Sequence, residues 1–101
     1  MIKHIVMWKL QNKTIVASAD ERALELKRQL LALKGVVPSL RNIDVVFNDA
    51  AASAENHDVA LITEFDDLEG LKAYAIHPEH VKVGTYVKTV MEARACIDYE
   101  F

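Results

Sequence analysis

Ile2-Lys3-His4-Ile5-Val6-Met7-Trp8-Lys9-Leu10 is the stretch that decides the fold. Side chains of an extended strand alternate between two faces, which puts Ile2, His4, Val6, Trp8 and Leu10 on one side and Lys3, Ile5, Met7 and Lys9 on the other. Both sides carry apolar residues. A strand of this kind is expected to be covered on both faces, whereas the strand of a one-sided sheet turns polar residues outward.

Working outward, Ser18-Ala19-Asp20-Glu21 reads as a capping box, with a serine three residues ahead of a glutamate. The helix it opens is expected from about Ala19 to Lys34, with Ala23, Leu26, Leu30 and Leu33 at helical spacing and Gly35 placed for a left-handed cap. After Pro38-Ser39 a second strand is predicted over Leu40 to Phe47, with Ile43, Val45 and Phe47 alternating against Asn42, Asp44 and Val46. A polar, alanine-rich loop from Asn48 to Asn56 leads to a third strand, His57 to Phe65. Its faces are Val59, Leu61, Thr63 and Phe65 against Asp58, Ala60, Ile62 and Glu64. Asp66-Asp67-Leu68-Glu69 supplies an acidic start for a second helix through Leu71 and Tyr74, which Pro78 should break before a segment reaching Val90. In the last strand, Glu92 to Phe101, Ala93, Ala95, Ile97 and Tyr99 oppose Glu92, Arg94, Cys96 and Asp98. The aromatics Trp8, Phe47, Phe65 and Tyr99 are expected to face inward.

The order β-α-β-β-α-β defines one α+β domain over residues 1–101, a ferredoxin-like antiparallel sheet with its helices on one face and its first and third strands central. Ile5, Met7, Ala60 and Ile62 then fall on the face the helices leave open. An apolar patch there calls for a partner, and a second copy packed sheet against sheet is the economical one, giving a dimeric α/β barrel.

Composition narrows the function classes. With a formal net charge of −3 and basic residues scattered along the chain, there is no basic stripe for nucleic acid and no polybasic cluster for a membrane surface. Cys96 is the single cysteine, so no internal disulfide can form. The opening segment is too short and too charged for a signal peptide and no long apolar run follows, so a cytoplasmic location is expected. Glycines stand only at positions 35, 70 and 84, which leaves no phosphate-binding loop, and no cofactor is expected. His77 and His80 are separated by a single turn that contains Pro78, without a clear third ligand, so no metal is expected either.

Four segments resemble the stress-responsive A/B barrel (Dabb) family: Ile2 to Lys9; His57 to Phe65 with Asp66-Asp67-Leu68-Glu69; Tyr74-Ala75-Ile76-His77-Pro78-Glu79-His80-Val81; and Arg94 to Glu100. The resemblance implies a ferredoxin-like homodimer associated with stress. It also implies a small apolar pocket between sheet and helices for a hydrophobic or aromatic carbonyl compound. One plant member is a polyketide cyclase, and its catalytic tyrosine and histidine match Tyr74 and His80, with a pocket histidine at His4. In that role neutral His80 would take a proton from a carbon beside a carbonyl, and the Tyr74 hydroxyl would hold the carbonyl oxygen as it becomes negative. Val6, Trp8, Leu26, Leu30 and His77 are the further candidates for lining the pocket; the cyclase has aromatic residues where this chain has Leu26, Lys27 and Leu30.

Geometry sets a condition on this pair. Six residues along a straight helix turn a side chain through about 240°, so Tyr74 and His80 can meet only if the chain bends between them, and Pro78 is where it can. The same motif also has a plainer use, in which His77-Pro78-Glu79-His80 shapes and caps a bent helix, His4 is a hydrogen-bonded core residue, and the protein is a non-catalytic structural dimer.

Overall fold

The computed structural model describes residues 1–101. Strand β1 (Ile2–Leu10) is followed by a 3-10 turn (Ala17–Ala19) and helix α1 (Glu21–Leu31), then β2 (Asn42–Phe47), β3 (Val59–Phe65), α2 (Leu68–Ile76), α3 (Pro78–Val90) and β4 (Met91–Glu100). The sheet order is β2-β3-β1-β4, all antiparallel. Strands β1 and β3 are therefore central, as the ferredoxin-like order requires. None of the helices is long and apolar enough to cross a membrane.

Alternation along β1 carries through the sheet by register. Val6 lies opposite Leu61 of β3 and Cys96 of β4, and His4 lies opposite Thr63 and Asp98. Val6, Trp8, Leu10, Val45, Val59, Leu61 and Phe65 bury their side chains on the helix side, against Ala23, Leu26 and Leu30 of α1, Tyr74 of α2, and Val83 and Val90 of α3. Asp58 ties the end of β1 to the start of β3: it is buried and accepts from Leu10 N at 2.8 Å and from Lys13 Nζ at 2.6 Å. Those two donors satisfy a carboxylate that would be costly to bury alone.

The other face of the sheet has no helix over it. Met7 is 38% exposed and Ile97 59%, with Val46 and Tyr99 also open and Ile5, Ala60 and Ile62 half-buried. Tyr99 corrects an expectation, because it pairs with Lys3 of β1 and so stands on this open face. The β4 residues that look toward the helices are Arg94, Cys96 and Asp98, opposite Trp8, Val6 and His4. Parity along an isolated strand separates two sets of residues, but only its pairing with β1 says which set is inside.

Three helix boundaries follow from capping chemistry. Helix α1 starts at Asp20, not Ser18: the Asp20 carboxylate accepts from Arg22 N at 2.9 Å and is clamped by the Arg22 guanidinium. A carboxylate there caps the helix and faces its positive end, which a serine hydroxyl cannot do as strongly. The regular helix stops at Leu31, short of the expected Lys34, and the chain continues through tight turns to Gly35, whose φ of +82° only glycine adopts without strain. Asp67 caps α2 by accepting from Gly70 N at 2.8 Å.

Leu26 is fully buried among these contacts. Leu26→Ala should lower the unfolding free energy by about 3 kcal/mol, the usual cost of an aliphatic core truncation, in urea denaturation at fixed protein concentration. A loss below about 1 kcal/mol would mean the helix–sheet layer does not depend on that side chain.

Candidate functional site

Pro78 sits at the first position of α3, where its missing N–H costs nothing, and His77 before it is extended at φ −62° and ψ 133°. The His77 Nδ1 accepts from Glu79 N at 3.1 Å, so this histidine caps α3. The break between α2 and α3 undoes the 240° separation. The Tyr74 and His80 rings come to a centroid distance of 4.3 Å, with Phe65 on Tyr74 at 5.1 Å.

His80 has a defined tautomer. Its Nδ1 lies 3.0 Å from the Ala75 carbonyl oxygen, and because a carbonyl can only accept, Nδ1 carries the hydrogen and Nε2 of the neutral ring keeps its lone pair. Desolvation by burial lowers the His80 pKa, the Ala75 bond opposes this in part, and the positive charges of His4, Arg94 and His77 push it lower again. The neutral ring is thus favoured. Tyr74 is 1% exposed, and burial pushes its hydroxyl pKa far up, so it remains a proton donor.

His4 enters the site from β1. Its Nδ1 hydrogen bonds to the Asp98 carboxylate directly across the β1–β4 pair, the Thr63 hydroxyl donates to its backbone carbonyl at 3.1 Å, and its ring meets Tyr74 edge-on at 6.4 Å. Asp98 fixes the orientation of the imidazole as carboxylates do for catalytic and metal-bound histidines. Cys96 completes a trio with them, its Sγ 3.6 Å from His4 Nδ1. His4, Cys96 and Asp98 are the side chains grouped tightly enough to share a metal ion, within 4.8 Å of one another. His77 and His80 are each committed to the backbone and do not form such a group.

These groups open on a cavity of about 380 Å³ between the sheet and the helices, near the lower end of the range for small-molecule sites. Val6, Trp8, Leu30, Leu61, Leu71 and Val83 make its apolar wall, and His4, Tyr74, His80, Lys88, Arg94 and Asp98 its polar one. Of the residues singled out from sequence, His4, Val6, Trp8, Leu30, Tyr74 and His80 meet here. Leu26 does not: it lies one layer deeper, in the core. Nor does His77, whose side chain is taken up by the α3 cap. Asp98, Arg94 and Lys88 were not among the sequence candidates, and only the β1–β4 register, which sets Asp98 against His4 and Arg94 against Trp8, could have found the first two.

Two buried side-chain atoms have no hydrogen-bond partner within the protein, the Tyr74 hydroxyl and Trp8 Nε1. Both belong to residues that line this cavity. A buried donor without an acceptor costs about 1–3 kcal/mol, and both of these costs fall on residues of the same cavity lining.

An antiparallel ferredoxin-like sheet with a histidine–tyrosine cavity beneath its helices is the class that fold and site define. The family model for the stress responsive A/B barrel domain matches residues 2–101, and the chain belongs to that family. An uncharacterized protein of Streptomyces coelicolor is 30% identical over 101 residues, covering all of both chains. The crystal structure of a dimeric protein of unknown function and ferredoxin-like fold from Bacteroides fragilis is 38% identical, with a TM-score of 0.86 over 99% of this chain and 95% of that one. A hydroxynitrile lyase from Passiflora edulis shares the fold at 11% identity, with a TM-score of 0.79 over 97% of this chain and 90% of that one.

Tyr74→Phe removes a buried hydroxyl that nothing in the chain satisfies. In thermal unfolding of the ligand-free protein the variant should be as stable as the parent or more so, by up to about 1 kcal/mol. A clear loss of stability would show that the hydroxyl is paired.

Proposed function

We propose that the cavity binds a small hydrophobic or aromatic carbonyl compound, and that His80 and Tyr74 catalyse proton transfer at the carbon beside its carbonyl group. The observation that carries this reading is the pair of unpartnered buried donors, Tyr74 Oη and Trp8 Nε1, which belong to two residues lining a mainly apolar cavity. A carbonyl oxygen is the acceptor they lack.

In this scheme Nε2 of neutral His80 takes the proton from the carbon. The C–H electron pair forms the enolate double bond, and charge moves to the carbonyl oxygen, where the Tyr74 hydroxyl donates to it. Return of the proton from the His80 imidazolium to the opposite face of that carbon, or to another carbon conjugated with the enolate, completes an isomerisation; attack of the enolate carbon on a second carbonyl of the same molecule closes a ring, and the imidazolium proton passes to the alkoxide so formed. His4, held by Asp98, contacts the same ligand. Leu26 and His77 have no part in it. The chemistry needs no cofactor.

The lowered His80 pKa fixes the sign of the pH dependence. The base is lost only on protonation, so activity should persist on the acid side below about pH 6.5, the ordinary histidine value, and fall at a lower pH. Deuterium incorporation from D2O beside the carbonyl of aryl ketones and β-diketones, followed by NMR, tests the reaction. His80→Gln should slow exchange by about a hundredfold or more, and Tyr74→Phe similarly. Exchange that is equal in parent and His80→Gln, or absent across the panel, would sink the catalytic reading and leave a non-catalytic dimer as the functional object.

The open sheet face favours self-association, with Ile5, Met7, Ala60 and Ile62 packed against their counterparts in a second copy, as the dimeric Bacteroides relative suggests. Met7→Glu should convert dimer to monomer by light scattering, because it would bury an unpaired carboxylate from each copy in an apolar interface. An unchanged mass would move the interface elsewhere.

A further inference from the structure

We propose that the occupant of the cavity carries an anionic group, a carboxylate in the simplest case, held at the cavity mouth by Arg94 and Lys88. This rests on the binding reading above and narrows it to an apolar acid with a carbonyl group.

The chain has four arginines, and three are in ion pairs: Arg22 with Asp20 at 2.9 Å, Arg28 with Glu25 at 2.5 Å, and Arg41 with Asp66 at 2.7 Å. Arg94 has no carboxylate partner. It is also the arginine whose strand position faces the helices, opposite the buried Trp8, and it lines the cavity. Lys88, in the last turn of α3, also lines it and is likewise without a carboxylate partner. The lone carboxylate on the cavity wall, Asp98, is engaged by His4, and the Cys96 side chain stands between it and Arg94 on β4. The mouth is thus locally positive on a protein of net charge −3.

A guanidinium fork and an ammonium are suited to a single carboxylate. A polyphosphate would instead call for a glycine-rich loop of backbone N–H groups, and the cavity's only glycine is Gly84, inside α3. The Arg94 charge also reaches the reacting end: it is among the charges that disfavour protonation of His80. An anion bound at the mouth would partly neutralise it.

The chain supplies its own reporter, because Trp8 is the only tryptophan and lines the cavity. Octanoate and its uncharged counterpart octanamide, both spectroscopically silent, are titrated against Trp8 fluorescence at neutral pH and low salt. Octanoate should bind about tenfold more tightly, the worth of one modest charge-assisted contact, and the preference should shrink as salt is added. It should fall to within about twofold in the Arg94→Gln, Lys88→Gln double variant and be largely kept in Arg94→Lys. Both positions are exposed, and circular dichroism of the variants checks their folding. Equal binding of the two ligands, or a preference that survives the double variant, would overturn the anionic subsite while leaving the cavity as a binding site. No Trp8 response to either ligand would overturn both.

Discussion

Strand β1 is hydrogen-bonded along both edges, to β3 and to β4, and the strict alternation of its side chains governs everything placed around it. Its even-numbered residues look at the helices and supply two walls of one space: Val6, Trp8 and Leu10 close the core, and His4 opens the site. Its odd-numbered residues look the other way, where no helix can follow because all three are used on the first face. One strand therefore sets both the cavity and the apolar surface that asks for a second copy. A shift of register by one residue would exchange the two faces and destroy both.

The second constraint is Pro78. A continuous helix through residues 68–90 would carry His80 away from Tyr74, and the cavity would lose either the imidazole or the phenol. The break resets the helix phase at the cost of one interrupted hydrogen-bond ladder, and His77 meets part of that cost on both sides: its N–H donates to the Tyr74 carbonyl at the end of α2, and its Nδ1 accepts from Glu79 N at the start of α3. Capping a helix and lining the cavity are therefore complementary uses of the His-Pro-Glu-His segment. His77 acts on the backbone and His80 on the cavity, and the first is what positions the second.

Electrostatics at the site is arranged by pairing and by its absence. Asp98 is spent on orienting His4, His80 is kept neutral by burial and by nearby positive charge, and Tyr74 is held as a donor by the same burial. Arg94 alone among the arginines has no carboxylate partner. These states all favour an acceptor inside and a negative charge at the entrance, which is a polarity that a single ligand can satisfy.

Periodicity and turn chemistry by themselves determined the order of strands and helices, the centrality of β1 and β3, the break at Pro78 and the two-faced sheet. Those features arise from neighbours along the chain, where spacing is sufficient. The candidates His4, Val6, Trp8, Leu30, Tyr74 and His80 were legible for the same reason, together with the family resemblance. What periodicity could not reach was decided between strands and layers. Leu26 and Leu30 are both inward on α1, but only the packing of α3 over the sheet leaves a cavity at one and a sealed core at the other. Tyr99 and Asp98 are adjacent in sequence, and the β1–β4 register sends the first to the open face and the second to His4. Ser18 and Asp20 both can cap a helix, and Arg22 settles the choice by binding the carboxylate. Each of these outcomes depends on which partner a residue meets across space, and tertiary contact alone fixes that.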